Sequence, residues 1–70
     1  MTITKVVELV GESTDNWRDA AKNAVAEANK TIDGITGVEI LNLTADVQDG
    51  EIVEYKANVQ VAFPVKESRK

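Results

Sequence analysis

From Val53 to Val65 the chain alternates with little interruption. Val53, Tyr55, Ala57, Val59, Val61, Phe63 and Val65 fall on one side, and Glu54, Lys56, Asn58, Gln60 and Ala62 on the other. That is the period-two pattern of a β-strand. At ~3.3 Å per residue such a strand runs for roughly 40 Å. A compact domain built from the 70 residues present has a diameter of only about 28 Å. A strand longer than the molecule must either bend sharply or overhang and be covered by neighbours. Pro64, near its end, suits an edge or a strand terminus, because proline cannot donate to a ladder.

The rest of the chain supplies too little to solve that problem alone. Thr2–Val10 is rich in Val, Ile and Thr and reads as a first strand. Ile3, Val7 and Leu9 share one face and Thr4, Val6, Glu8 and Val10 the other, so both faces expect some cover. Gly11 and Glu12 are expected to end it. Ser13 or Thr14 then caps a helix, with Asp15 complementing its positive end. From Trp17 the apolar positions Ala20, Ala21, Ala24, Val25, Ala28 and Ile32 recur at helical spacing. The stripe is mostly alanine, so the helix axis can lie close to a sheet curved around it. The spacing predicts a helix end near Asp33-Gly34, with glycine as the left-handed cap. After Thr36-Gly37 a further strand places Val38 and Ile40 one way and Leu41, Leu43, Ala45 and Val47 the other. Asp49-Gly50 then marks a hairpin of type I′, whose two central residues need positive φ. The order is β-α-β-β: an α+β domain over residues 1–65, with one helix on a three-stranded antiparallel sheet, followed by a charged tail at 66–70.

Composition narrows the chemistry. There is no cysteine and no histidine. Disulfides, thiolate nucleophiles, cysteine-type zinc sites and Ser-His-Asp triads are therefore excluded. For a domain this small, the remaining source of extra stability is other subunits. The net charge is −4, and the tail carries +2, which leaves −6 on the first 65 residues. An acidic body argues against nucleic acid as a partner. No apolar run approaches the roughly 20 residues of a membrane span, so no membrane partner is expected. The opening residues lack the features of a signal peptide, and a cytoplasmic location is expected.

Few residues suggest catalysis, and no enzyme is expected. Glu54 and Lys56 share a strand face, a pattern that fits solvated cross-strand charge better than a catalytic pair. The four glycines are scattered singly, so there is no phosphate-binding loop. Asp46 and Asp49 flank the hairpin, and Glu12, Ser13 and Asp15 flank the helix start. Oxygen donors of this kind suit calcium or magnesium, but no loop spacing matches an EF-hand. They read first as turn and cap residues, and the metal ligands stay unassigned. Trp17 could stack on a planar ligand or pin the first helical turn to the sheet; the alanines that follow it favour pinning.

Over essentially its whole length the chain resembles the dodecin family. The resemblance rests on the Val-rich first strand, Gly11-Glu12-Ser13 leading into the helix, Trp17 opening an alanine-rich helix, Thr31-Ile32-Asp33-Gly34-Ile35 at its exit, Asp49-Gly50, and Val59-Gln60-Val61-Ala62-Phe63. It implies a sheet wrapped around the helix and a hollow homododecamer. It also implies small-ligand binding or storage without turnover, as in the members that hold flavin pairs (FMN or riboflavin) between aromatic rings at subunit interfaces. The family's flavin-stacking tryptophan falls on Gly37 here, before Val38-Glu39-Ile40, and its flavin-edge glutamine falls on Lys56. Both cofactor-binding positions are thus substituted, and high-affinity flavin binding is expected to be lost. The Ser13-to-Trp17 helix start is similar to the subgroup described as calcium-bound, so the alternative is a calcium- or metal-stabilised shell without an organic ligand.

Overall fold

The computed structural model describes residues 3–65; the basic segment 66–70 lies outside the described residues. The elements follow as β1 (Ile3–Ser13), α1 (Trp17–Ala28), β2 (Gly37–Gln48) and β3 (Glu51–Val65). Both β1 and β2 pair antiparallel with β3, so the sheet order is β1-β3-β2. This is the β-α-β-β arrangement that the patterning anticipates.

The long strand overhangs. β1 accompanies β3 from Val65 back to Tyr55, and β2 accompanies it from Ala62 to Glu51. Three strands run together only over the middle of β3, and each end of β3 has one neighbour. Pro64 lies beyond the Gly37–Ala62 pair, where β3 has only β1 beside it. The chain measures 58 × 19 × 13 Å, about twice the length of a compact domain of its size.

Three boundaries differ from the sequence reading. β1 does not stop at Val10. Gly11, Glu12 and Ser13 pair with Ala57, Lys56 and Tyr55, because Gly11 serves a close approach instead of a turn. A Cβ at Gly11 would lie 2.0 Å from the Ala20 carbonyl oxygen and 2.7 Å from Ala24 Cβ. The helix cap is Asn16, not Ser13 or Thr14: its Oδ1 accepts from the Asp19 N–H at 2.7 Å. Ser13 Oγ instead accepts from the Asp15 N–H at 2.9 Å and shapes the turn before the helix. The acid of the first turn is Asp19, not Asp15. The helix ends at Ala28, not near Gly34. The Lys30 and Thr31 N–H groups bond three residues back, and the chain then crosses until the Thr36 N–H reaches the Ala62 carbonyl at 2.9 Å. Gly34 supplies its positive φ of 76° within this crossing.

β2 carries a correction to its faces. The register shifts between Ile40 and Asn42, leaving Leu41 without a partner. Before the shift Val38 and Ile40 oppose Val61 and Val59; after it Leu43 and Ala45 oppose Ala57 and Tyr55. The bulge brings these four residues to the helix side of the sheet, where simple alternation would have split them. A second shift between Asp46 and Val47 leaves Val53 as the extra residue on β3. The hairpin turns at Asp49 and Gly50, with φ of 55° and 80°, as a type I′ turn requires.

The core is small. Ala20, Ala24, Ala57 and Val59 form a buried cluster, with Leu9 and Ala21 packed against it. α1 lies on β1 and β3 and barely reaches β2. Val38, Ile40 and Leu43, on the helix side of β2, stay about half exposed.

Gly11→Ala should lower stability by roughly 1–3 kcal/mol, the usual cost of overpacking a tight contact. Gly37→Ala, where an added Cβ meets nothing within 4 Å, should change it by less than about 0.5 kcal/mol. Urea unfolding midpoints of the two variants check this.

Candidate functional site

The face of the sheet turned away from α1 is built in cross-strand rows. Val6, Ala62 and Gly37 form one; Glu8, Gln60 and Glu39 the next; Val10, Asn58 and Asn42 the third; Glu12, Lys56 and Thr44 the fourth; and Glu54 and Asp46 close the series. Asn58 Nδ2 donates to Asn42 Oδ1 within its row.

Gly37 and Lys56 therefore share this face, but the chain does not bring them together. Ala62, the partner of Gly37, is six residues from Lys56 on β3, about 20 Å along the strand. Only residues of different copies could place these two positions on one ligand. Gly37 opens onto empty space and offers no ring for stacking. Lys56 Nζ lies 3.4 Å from Asp46 Oδ2 and 3.8 Å from Glu12 Oε2. Its partners are thus carboxylates from both neighbouring strands, not Glu54 on its own strand. Position 37 thus offers no side-chain plane, and position 56 offers an ion-paired ammonium.

The protonation of this cluster follows from its crowding. The Glu54 carboxyl is raised above its ordinary value of 4.5, by desolvation first and then by the charge and hydrogen bond of Glu12. Lys56 is raised above 10.5, by its hydrogen bond with Asp46 and then by the Asp46 and Glu12 charges.

Trp17 takes the packing role. Its Nε1–H donates to the Thr44 carbonyl at 2.8 Å, and its ring meets Tyr55 edge-to-face, with centroids 4.8 Å apart at 79°. The indole thereby ties the first helical turn to β2 and β3. Asn23 adds a second tie, donating from Nδ2 to the Glu12 carbonyl at 2.8 Å. Among the described residues, no group of three or more Asp, Glu, His or Cys is arranged to hold a metal ion. Asp49 sits in the hairpin turn, and Ser13 is engaged with backbone N–H groups. An open apolar groove runs between Ala21, Val25 and Ala26 of α1 and Val38 of β2. The sequence reading did not join Glu12 and Asp46 to Lys56. The acidic residues were visible, but their convergence needed the strand register.

The family model described as Dodecin matches residues 3–66. The chain belongs to the dodecin family. The calcium dodecin of Mycobacterium tuberculosis is 26% identical over 66 residues, spanning 94% of this chain and 93% of that protein. The dodecin of Thermus thermophilus is 29% identical over 66 residues, spanning 94% and 96%. The structure of dodecin from Streptomyces coelicolor superposes with a TM-score of 0.90 at 27% identity, covering 96% of each chain. The M. tuberculosis calcium dodecin, whose structure is described as having a novel calcium-binding site, superposes with 0.79 at 28% identity, covering 97% of each. Among dodecins, then, the backbone follows the S. coelicolor protein more closely than the calcium dodecin.

The raised Glu54 carboxyl has a definite sign. A group bound more tightly to its proton in the fold contributes stability that is present below pH 4.5 and lost as pH rises through the folded value. Glu54→Gln should therefore raise the melting temperature at pH 7 relative to the parent, and the gap should close below about pH 4.5. Calorimetry across that range reads it directly.

Proposed function

We propose that this dodecin is a non-enzymatic small-ligand-binding or storage protein that assembles as a homododecameric shell and has lost high-affinity flavin binding. The observation that carries the reading is Gly37, an open backbone position where the resemblance expects the stacking tryptophan. The ion pairs of Lys56, at the flavin-edge position, support it independently. Stacking on an aromatic is worth ~1–3 kcal/mol per ring, so losing the rings on both sides of a flavin pair weakens binding by a few powers of ten.

Assembly is supported by the small core and by the half-exposed Val38, Ile40 and Leu43 beside the apolar groove. A monomer of this size leaves such a patch uncovered, and neighbouring copies would cover it. Light scattering should give twelve times the 7.6 kDa chain, about 91 kDa. A monomer or dimer would refute the shell.

Riboflavin or FMN fluorescence should stay unquenched at micromolar protein. The Gly37→Trp, Lys56→Gln double variant should quench it, since a side chain at position 37 starts into open space, with nothing within 4 Å of its Cβ. Tight quenching by the parent protein would overturn the reading.

The likeness to the calcium dodecin supports a second reading, a calcium-stabilised shell without an organic ligand. Under it, EDTA lowers the melting temperature and calcium restores it; under the first reading neither has an effect.

A further inference from the structure

β2 and β3 run on beyond the end of β1. The β1–β3 pairing stops at Ser13–Tyr55, while β2 and β3 stay paired as far as Gln48–Glu51. Residues 46–54 therefore form a two-stranded arm, whose root at Thr44 and Tyr55 meets Trp17 of α1. On the arm Val47 pairs with Ile52, and Val53 is the extra residue of the bulge beside them. These three are 65%, 44% and 43% exposed. The same stretch holds the carboxylates Asp46, Asp49, Glu51 and Glu54 and no basic residue. Lys56 pairs with Asp46, but neither Asp49 nor Glu51 pairs with a base among the described residues. The apolar groove between Ala21, Val25 and Ala26 of α1 and Val38 of β2 lies toward the other end of the subunit. Lys22 is the charged residue of its lining, and it makes no ion pair among the described residues. Val38 and Val47 are nine residues apart on β2, roughly 30 Å along the strand. The arm is thus held away from its own groove.

We propose that the hairpin arm of one copy docks in the helix–sheet groove of a second copy. Val47, Ile52 and Val53 then cover Ala21, Val25, Ala26 and Val38, and the acidic tip of the arm comes beside Lys22. The two surfaces match in both respects that matter: apolar area meets apolar area, and unpaired acid meets unpaired base. The contact joins opposite ends of two subunits, so it is heterologous. Each copy still offers a free arm and a free groove after one contact forms, and the chain of contacts ends only when a ring closes. The docking rests on the shell reading above and names the surface that covers Val38 within it.

The chain has no cysteine, so the full-length protein can be given one on each surface. Ile52→Cys and Ala26→Cys are combined in one chain and treated with a short bismaleimide, beside each single variant. Val53→Cys in place of Ile52→Cys supplies a second arm variant, and all these positions lie outside the buried cluster. Arm and groove of one chain are too far apart to be bridged, so every link joins two copies. The double variants should give a ladder of linked chains on a denaturing gel, and the single variants should not. Lys22→Glu or Glu51→Lys, added alone, should cut the ladder severalfold by placing like charges together, and the two combined should restore it. Light scattering on the parent separates the two possible failures. A monomeric parent overturns the shell reading and the docking with it. An assembled parent whose double variants give no ladder overturns the docking alone. So does a ladder that neither charge reversal reduces, or one that a single variant forms equally well.

Discussion

The contact between α1 and β1 at Gly11 governs how the rest of this molecule is built. The Ala20 carbonyl and the Ala24 methyl occupy the volume where any side chain at that position would begin. Only a glycine facing an alanine stripe lets a helix lie this near a strand. That nearness makes the core thin: the buried hydrophobic residues are alanines and valines. Trp17 and Asn23 hold the helix in place with side chains that reach backbone carbonyls on β2 and β1.

A thin core has consequences at the periphery. The helix sits over β1 and β3, so the apolar side chains of β2 have no cover within the chain. The β2 bulge adds to this, because it carries Leu43 and Ala45 to the same side as Val38 and Ile40. The overhang of β3 leaves each end with a single neighbour. Burial of these surfaces is worth roughly 25 cal/mol per Å² of apolar area, and a partner subunit is a natural means of obtaining it in a chain with no disulfide. The outer face differs. Beyond its Val6–Ala62–Gly37 row it is largely polar, and Lys56 is shared between carboxylates on both sides.

Much of the fold was legible in the residues, for local reasons. The β3 alternation, the alanine spacing and Asp49-Gly50 each report a backbone conformation without help from distant parts. The boundaries were less legible. Gly11 looked like a strand stop because its reason for being glycine is a helix that arrives later in the chain. Gly34 looked like a helix cap because positive φ serves a crossing loop equally well. The candidate site was half legible: Gly37 and Lys56 could be placed by resemblance, but neither their separation along β3 nor the partners of Lys56 could.

The sequence by itself determined the element types, the hairpin turn, the poverty of the core and the absence of imidazole and thiol chemistry. These follow from side-chain periodicity and composition, which are local properties. Only the tertiary structure decided the β1-β3-β2 order, the bulge that reassigns the faces of β2, and the meeting of Glu12 and Asp46 at Lys56. Those depend on strand register between residues more than forty positions apart in the chain for the Glu12–Lys56 pair. Register is set by how whole faces pack, since a shift of one residue would turn every side chain to the opposite side.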